Sequence, residues 1–166
     1  KNLAESQTIA MARKSRELKA QGVDIISLSL GEPDFNTPDV IKQAAKKAID
    51  DNFSFYTHVT GYLELRQAIC KKFERDNGLI YTPDEIVVST GAKQSISNAV
   101  LCLLNPGDEV IVPSPYWVSY LELVKLAEAK SIVVNTSIKT NFKITAEQLQ
   151  KSITPKTRML IFSSPC

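Results

Sequence analysis

Residues 87–94 read Val87-Val88-Ser89-Thr90-Gly91-Ala92-Lys93-Gln94, and residues 106–117 read Pro106-Gly107-Asp108-Glu109-Val110-Ile111-Val112-Pro113-Ser114-Pro115-Tyr116-Trp117. The first stretch is a strand pattern that ends in a Thr-Gly-Ala turn and opens a helix. Unpaired backbone N–H groups and the positive end of a helix dipole make such a start an anion site. Gly91 lets the backbone approach an anion closely, and Lys93 adds a cation in the first turn. The second stretch is a strand that delivers Trp117 just past its carboxyl end, where ligands of open α/β sheets sit. A phosphate cradle and a flat indole, separated by one helix and one strand, suit a phosphorylated aromatic ring. Each half also has a plainer reading. Thr-Gly-Ala helix starts are common, and a single tryptophan is more often core or interface.

Working outward, the pattern predicts a helix from Ala92 that buries Ile96, Ala99, Val100, Leu103 and Leu104. Pro106-Gly107 makes a turn, and Val110-Ile111-Val112 reads as a strand buried on both faces. A helix over 117–129 follows, then a strand at Ile132-Val133-Val134. Next comes a short helix capped by Thr145 with Gln148, and a last strand over 158–162. Strands that alternate with helices from residue 86 onward imply βαβ units and a mostly parallel sheet.

Upstream, Thr82 and Glu85 form a capping box that leads into a strand over 86–89. A helix beginning at Gly61 places Leu65, Ile69 and Phe73 four residues apart and closes at Gly78. Residues 50–60 have no period and contain Tyr56 and the only histidine, His58. Thr37 as N-cap with Pro38 at the first position starts a helix whose apolar face is Val40, Ile41, Ala44, Ala45, Ala48 and Ile49. Residues 25–30 alternate as a short strand, 31–36 form a turn-rich loop, and 3–21 form an amphipathic helix with Thr8 near its start, closed by Gly22.

At 43% hydrophobic and 23% charged residues, the chain has the make-up of an ordinary globular domain. A net charge of +2 without a long basic run argues against a nucleic-acid partner. Its apolar runs are far short of a membrane span. Cys70, Cys102 and Cys166 lack metal-ligand spacing, and their odd count favours reduced thiols and a cytoplasmic setting. His58 has no Cys, Asp or Glu cluster beside it, so no metal site is expected. There is no initial Met, and residues 159–166 run along a strand of buried type, so the chain reads as a fragment.

Several motifs together resemble the class I aminotransferases, in particular the bacterial aspartate aminotransferase subgroup. They are Ser29-Leu30-Gly31-Glu32-Pro33-Asp34-Phe35 with Thr37-Pro38; Tyr56 followed by Gly61 and Glu64-Leu65-Arg66; Gly91-Ala92-Lys93-Gln94; Pro106-Gly107-Asp108-Glu109-Val110; Ser114-Pro115-Tyr116-Trp117; and Ser164-Pro165-Cys166. They fall in family order along essentially the whole chain. The resemblance implies the three-layer α/β/α architecture of fold type I, truncated here. Residues 1–37 would be the helix, strand and loop of the small domain. Residues 38–166 would be the first part of the large domain.

It also implies pyridoxal 5′-phosphate as cofactor. Gly91, Ala92 and Lys93 would hold the phosphate, Trp117 would stack on the pyridine ring, and Tyr56 would reach the phosphate of a neighbouring subunit in a homodimer with shared sites. Gly31 would give its N–H to the substrate α-carboxylate, and Thr8 would line the distal end of the substrate. The family's cis proline before the stacking aromatic falls on Ser114–Pro115. Lys93 follows the phosphate turn directly, so it is not the lysine that carries the cofactor. Arg66 reads as structural.

The family pattern runs on past Pro165 to an Asn, an Asp, a Tyr, the cofactor lysine and a substrate-binding Arg, none of which lies within these 166 residues. Cys166 stands where the family commonly has Asn. The expectation is therefore the inactive part of an enzyme that exchanges an amino group between an amino acid, aspartate first, and a 2-oxo acid such as 2-oxoglutarate. The alternatives are another pyridoxal phosphate enzyme, a β-lyase or cyclase, and a non-catalytic module that kept the fold.

Overall fold

A computed structural model of the chain describes residues 5–164. Contacts within the chain group it into two compact units, Lys1–Gly31 with Ala92–Cys166, and Glu32–Gly91.

In the first unit, β1 (Glu109–Ser114) is the central strand of a three-stranded sheet. It pairs in parallel with β2 (Lys130–Asn135) on one side and β3 (Thr157–Leu160) on the other. Val110, Ile111 and Val112 are fully buried, as an uninterrupted apolar run in a parallel sheet requires. Val110 and Val112 pack with Val100 and Leu104 from α4 (Ala92–Leu103) and its end, and with Tyr120 and Val124 from α5 (Ser119–Leu126). Ile111 points to the opposite face by the two-residue alternation of a strand. Leu103 and Ala99 were expected inside but face outward. Ile96, Val100 and Leu104 recur every four residues and take the inner stripe, which leaves no room for Leu103 on the same face. The helix expected to begin at Trp117 begins two residues later.

The carboxyl ends of β1 and β2 are stitched together. Ser114 Oγ donates to Asn135 Oδ1 at 3.2 Å, and the Thr136 hydroxyl donates to the Ser114 carbonyl. The Ser114–Pro115 peptide is cis, as the family pattern implied. Helix α6 (Ala146–Ser152) opens on the expected capping box, with Gln148 N donating to Thr145 Oγ1 at 3.1 Å and Thr145 N donating to Gln148 Oε1 at 3.0 Å. Helix α1 (Gln7–Ala20) precedes the sheet in the chain. The strand expected over 25–30 is absent: these residues join no ladder, and Ile26 and Leu28 are exposed. A strand persists only where its N–H and C=O groups find a neighbouring strand, and none of the three described strands lies beside this segment.

The second unit holds α2 (Asp39–Asp50) and α3 (Leu63–Asn77), the latter closed by Gly78 in the left-handed conformation. The cap of α2 differs from expectation. Pro38 occupies the N-cap position, and no side chain caps the helix. Its apolar face is present but uncovered, with Val40, Ile41 and Ile49 all exposed. Arg66 is buried, and its guanidinium donates to the Pro83 carbonyl at 2.8 Å, tying α3 to the 3₁₀ turn Pro83–Glu85. The expected strand over 86–89 is extended at Ile86 but unpaired in a sheet. Val88 N–H donates to the Thr60 carbonyl at 3.0 Å.

Candidate cofactor site

Gly91 has φ +81°, a conformation that favours glycine, and α4 begins at the next residue. A Cβ at Gly91 would meet nothing within 4 Å. The backbone angle therefore calls for glycine, and the space over the turn is open to a ligand. The start of α4 at Ala92 also carries the positive end of the helix dipole.

Trp117 follows the end of β1 by three residues, with 36% of its surface exposed. Lys93 Nζ lies 5.1 Å from the centre of its indole. The Lys93 ammonium and the indole after β1 are thus neighbours, although most of a helix and a strand separate the two residues in sequence. Tyr120 and the indole meet in a T-shaped pair, 5.5 Å between ring centroids and 87° between planes. The Tyr120 hydroxyl is 2.9 Å from Ser163 Oγ. Sequence reading missed both Tyr120 and Ser163. The only signal was Tyr120 three residues after Trp117, which is ordinary helix spacing.

The start of α1 also reaches this region. A cavity of about 420 Å³ is lined by Ser6, Gln7, Lys93, Tyr116, Val118 and Leu121 among others. Thr8, half-buried in the first turn of α1, is not part of that lining. Gly31 has an ordinary backbone, and a Cβ there would meet nothing within 4 Å, so nothing local in this chain requires glycine at that position. Tyr56 lies in the other unit and is fully exposed, beside Phe55, which is also exposed. Among the described residues no helix is long and apolar enough to cross a membrane.

The donor set fits a planar anionic cofactor. It combines amide dipoles, a primary ammonium and an accessible indole face at the carboxyl edge of a parallel sheet. These features lie where open α/β proteins bind ligands. The chain belongs to the family of class I and II aminotransferases, whose pattern it matches over residues 23–166. Members of this family use pyridoxal 5′-phosphate.

The chain is 56% identical over 160 residues to an aspartate/prephenate aminotransferase of Cereibacter sphaeroides, covering 96% of this chain and 40% of that protein. It is 52% identical over 160 residues to the protein of the same name from Nitrosomonas europaea, with the same coverage. Among solved structures, aspartate aminotransferase of Thermus thermophilus with maleate superposes with a TM-score of 0.90 at 44% identity, over 95% of this chain and 41% of that one. The chain thus spans about 40% of the length of the curated relatives it matches. Its architecture is a truncated portion of fold type I, with the parallel sheet of that fold.

Proposed function

We propose that this chain supplies the phosphate- and ring-holding part of a pyridoxal phosphate-dependent aminotransferase. The whole protein would move an amino group between aspartate and a 2-oxo acid, either 2-oxoglutarate or prephenate. The observation that carries the reading is the meeting of Lys93 and Trp117 at 5.1 Å beside the glycine turn, in a chain of this family. The relatives' names favour this over the lyase, cyclase and non-catalytic readings.

In this reading the N–H groups after Gly91, with Lys93, hold the phosphate dianion by fixed dipoles that need no reorganisation. Trp117 covers one face of the pyridine ring and excludes water there. Gly31 N–H binds the substrate α-carboxylate, Thr8 faces the distal end of the substrate, and Tyr56 reaches the phosphate of a second subunit. Residues 1–37 belong to the small domain, and residues 38–166 to the large one. When bound, the cofactor supplies the electron sink that labilises the Cα–H bond of an amino acid. The residues named here bind and orient, and none of them is assigned the Cα proton.

The test is a donor and acceptor screen on the whole protein. Amino transfer from aspartate to 2-oxoglutarate or prephenate is the expected outcome. Release of ammonia or pyruvate without transfer to an acceptor would establish a lyase instead.

A further inference from the structure

We propose that Tyr120 is a positioning residue for Trp117, and that its hydroxyl link to Ser163 sets the angle at which the indole meets the cofactor ring. This rests on the reading of Trp117 as the stacking residue. Nothing about the family motif requires it, because Tyr120 and Ser163 lie on different elements 43 positions apart.

The geometry carries the argument. Trp117 follows a loop rather than a helix or strand, so its own backbone constrains the ring weakly. Its only described aromatic neighbour is Tyr120, edge-on at 5.5 Å and 87°. That arrangement sets the positive edge of one ring against the electron-rich face of the other, a preferred contact for aromatic pairs. Tyr120 in turn has little freedom. It is 7% exposed and packs in the core with Val110, Val112 and Val124. Its part-buried phenol oxygen has Ser163 Oγ as a hydrogen-bond partner at 2.9 Å. Ser163 lies three residues beyond the end of β3, and Ile161 N there donates to the Ile111 carbonyl at 3.0 Å. The indole is therefore referenced through Tyr120 to the carboxyl end of the sheet. The backbone bond from Tyr120 N–H to the Trp117 carbonyl, 3.0 Å, closes the loop between them. A ring held by such a contact is fixed at one angle, which preorganises stacking.

Trp117 is the only tryptophan in the chain, so its fluorescence reports on this spot alone. The experiment compares the wild-type chain with Tyr120→Phe, Ser163→Ala and Tyr120→Leu. Ile111→Val serves as control, thinning the opposite face of the sheet without touching the indole. Anisotropy and acrylamide quenching of Trp117 are read first. Pyridoxal 5′-phosphate is then titrated against the same emission, with thermal midpoints recorded throughout.

Tyr120→Phe and Ser163→Ala are expected to raise quenching and lower anisotropy to the same degree. Each should weaken the cofactor about three- to tenfold, the worth of one buried hydrogen bond. Ile111→Val should lower the midpoint and change neither reading. Should Tyr120→Leu fail to fold, the two milder variants still decide. The proposal is overturned if both leave Trp117 mobility and cofactor affinity at wild-type values, whatever happens to the midpoint. If the wild-type chain shows no saturable response to the cofactor, the cofactor reading fails by itself. The mobility comparison then still decides the role of Tyr120.

Discussion

Trp117 and Gly61 carry the predictions that belong to single residues. Trp117 lies at the rim of the core with more than a third of its surface open, so truncating it leaves the buried valines of β1 in place. Trp117→Ala in the whole protein should weaken cofactor binding by on the order of 1 kcal/mol or more, at least about fivefold, with the fold retained. Equilibrium dialysis with a melting curve checks it. Unchanged affinity with a lowered midpoint would mean that the indole serves packing alone. Gly61 has φ +98°, and a Cβ there would sit 2.7 Å from Val88 Cγ2 and 2.9 Å from Val88 Cβ. Both the backbone angle and the contact exclude a side chain. Gly61→Ala is expected to cost about 2–4 kcal/mol, combining left-handed strain with overpacking. A urea midpoint equal to wild type would show that the loop simply moves off Val88.

At the scale of elements, the 3₁₀ turn Pro83–Glu85 has an electrostatic lock. Glu85 Oε2 accepts from Thr82 N at 2.8 Å and from Thr82 Oγ1 at 3.0 Å. The backbone N–H first, then the hydroxyl, holds the carboxyl below the usual glutamate value of 4.5. A depressed carboxyl stabilises the folded turn above the ordinary value and loses that contribution as pH falls through the folded midpoint. A carboxyl-carbon NMR titration should place Glu85 below 4.5, and Thr82→Ala, which removes the hydroxyl, should move it part of the way back. A Glu85 titration at or above 4.5 in the wild type would rule out the lock, and no change on Thr82→Ala would leave the backbone N–H as its sole source. The helices and strands differ in how they met expectation. Capping boxes at Thr82 and Thr145 formed where the spacing placed them, because they are satisfied within four residues. The segments at 25–30 and 86–89 have strand-like sequences but no ladder, because a strand's partners come from elsewhere in the chain.

At the scale of the whole molecule, apolar surface stands uncovered. In the Glu32–Gly91 unit, Val40, Ile49, Phe53, Phe55, Tyr56 and Val59 are all exposed. A surface of this kind marks contact with further protein. The proposed homodimer would take Tyr56 into a second subunit's site. Mixing an inactive Tyr56→Ala protein with an inactive variant of the cofactor-bearing lysine tests this. Hybrid dimers gather both lesions in one site and leave the other whole, so about a quarter of the full activity should return if subunits exchange at random. Verified hybrids without activity would place Tyr56 within its own subunit. The chain alone should show no amino transfer in a coupled assay, because no lysine in it is assigned to carry the cofactor. Turnover by the purified chain would refute that assignment.

The parts determined by sequence alone were those closed over short distances. They include the capping boxes at Thr82 and Thr145, the end of α3 at Gly78, and the doubly buried run Val110-Ile111-Val112. The turn at Gly91 and the ring at Trp117 could each be recognised there, but not their separation, since the 25 residues between them can return to many places. Tertiary packing decided that Lys93 meets Trp117 and that Tyr120 meets the indole in a T-shaped pair. It also decided that Ser163 holds the Tyr120 hydroxyl, because these contacts exist only once α4 and α5 lie on one face of β1. Residues 25–30 and 86–89 show the converse. Their residue types suit strands, yet backbone hydrogen bonds need a neighbour, and the folded chain places no described strand beside either.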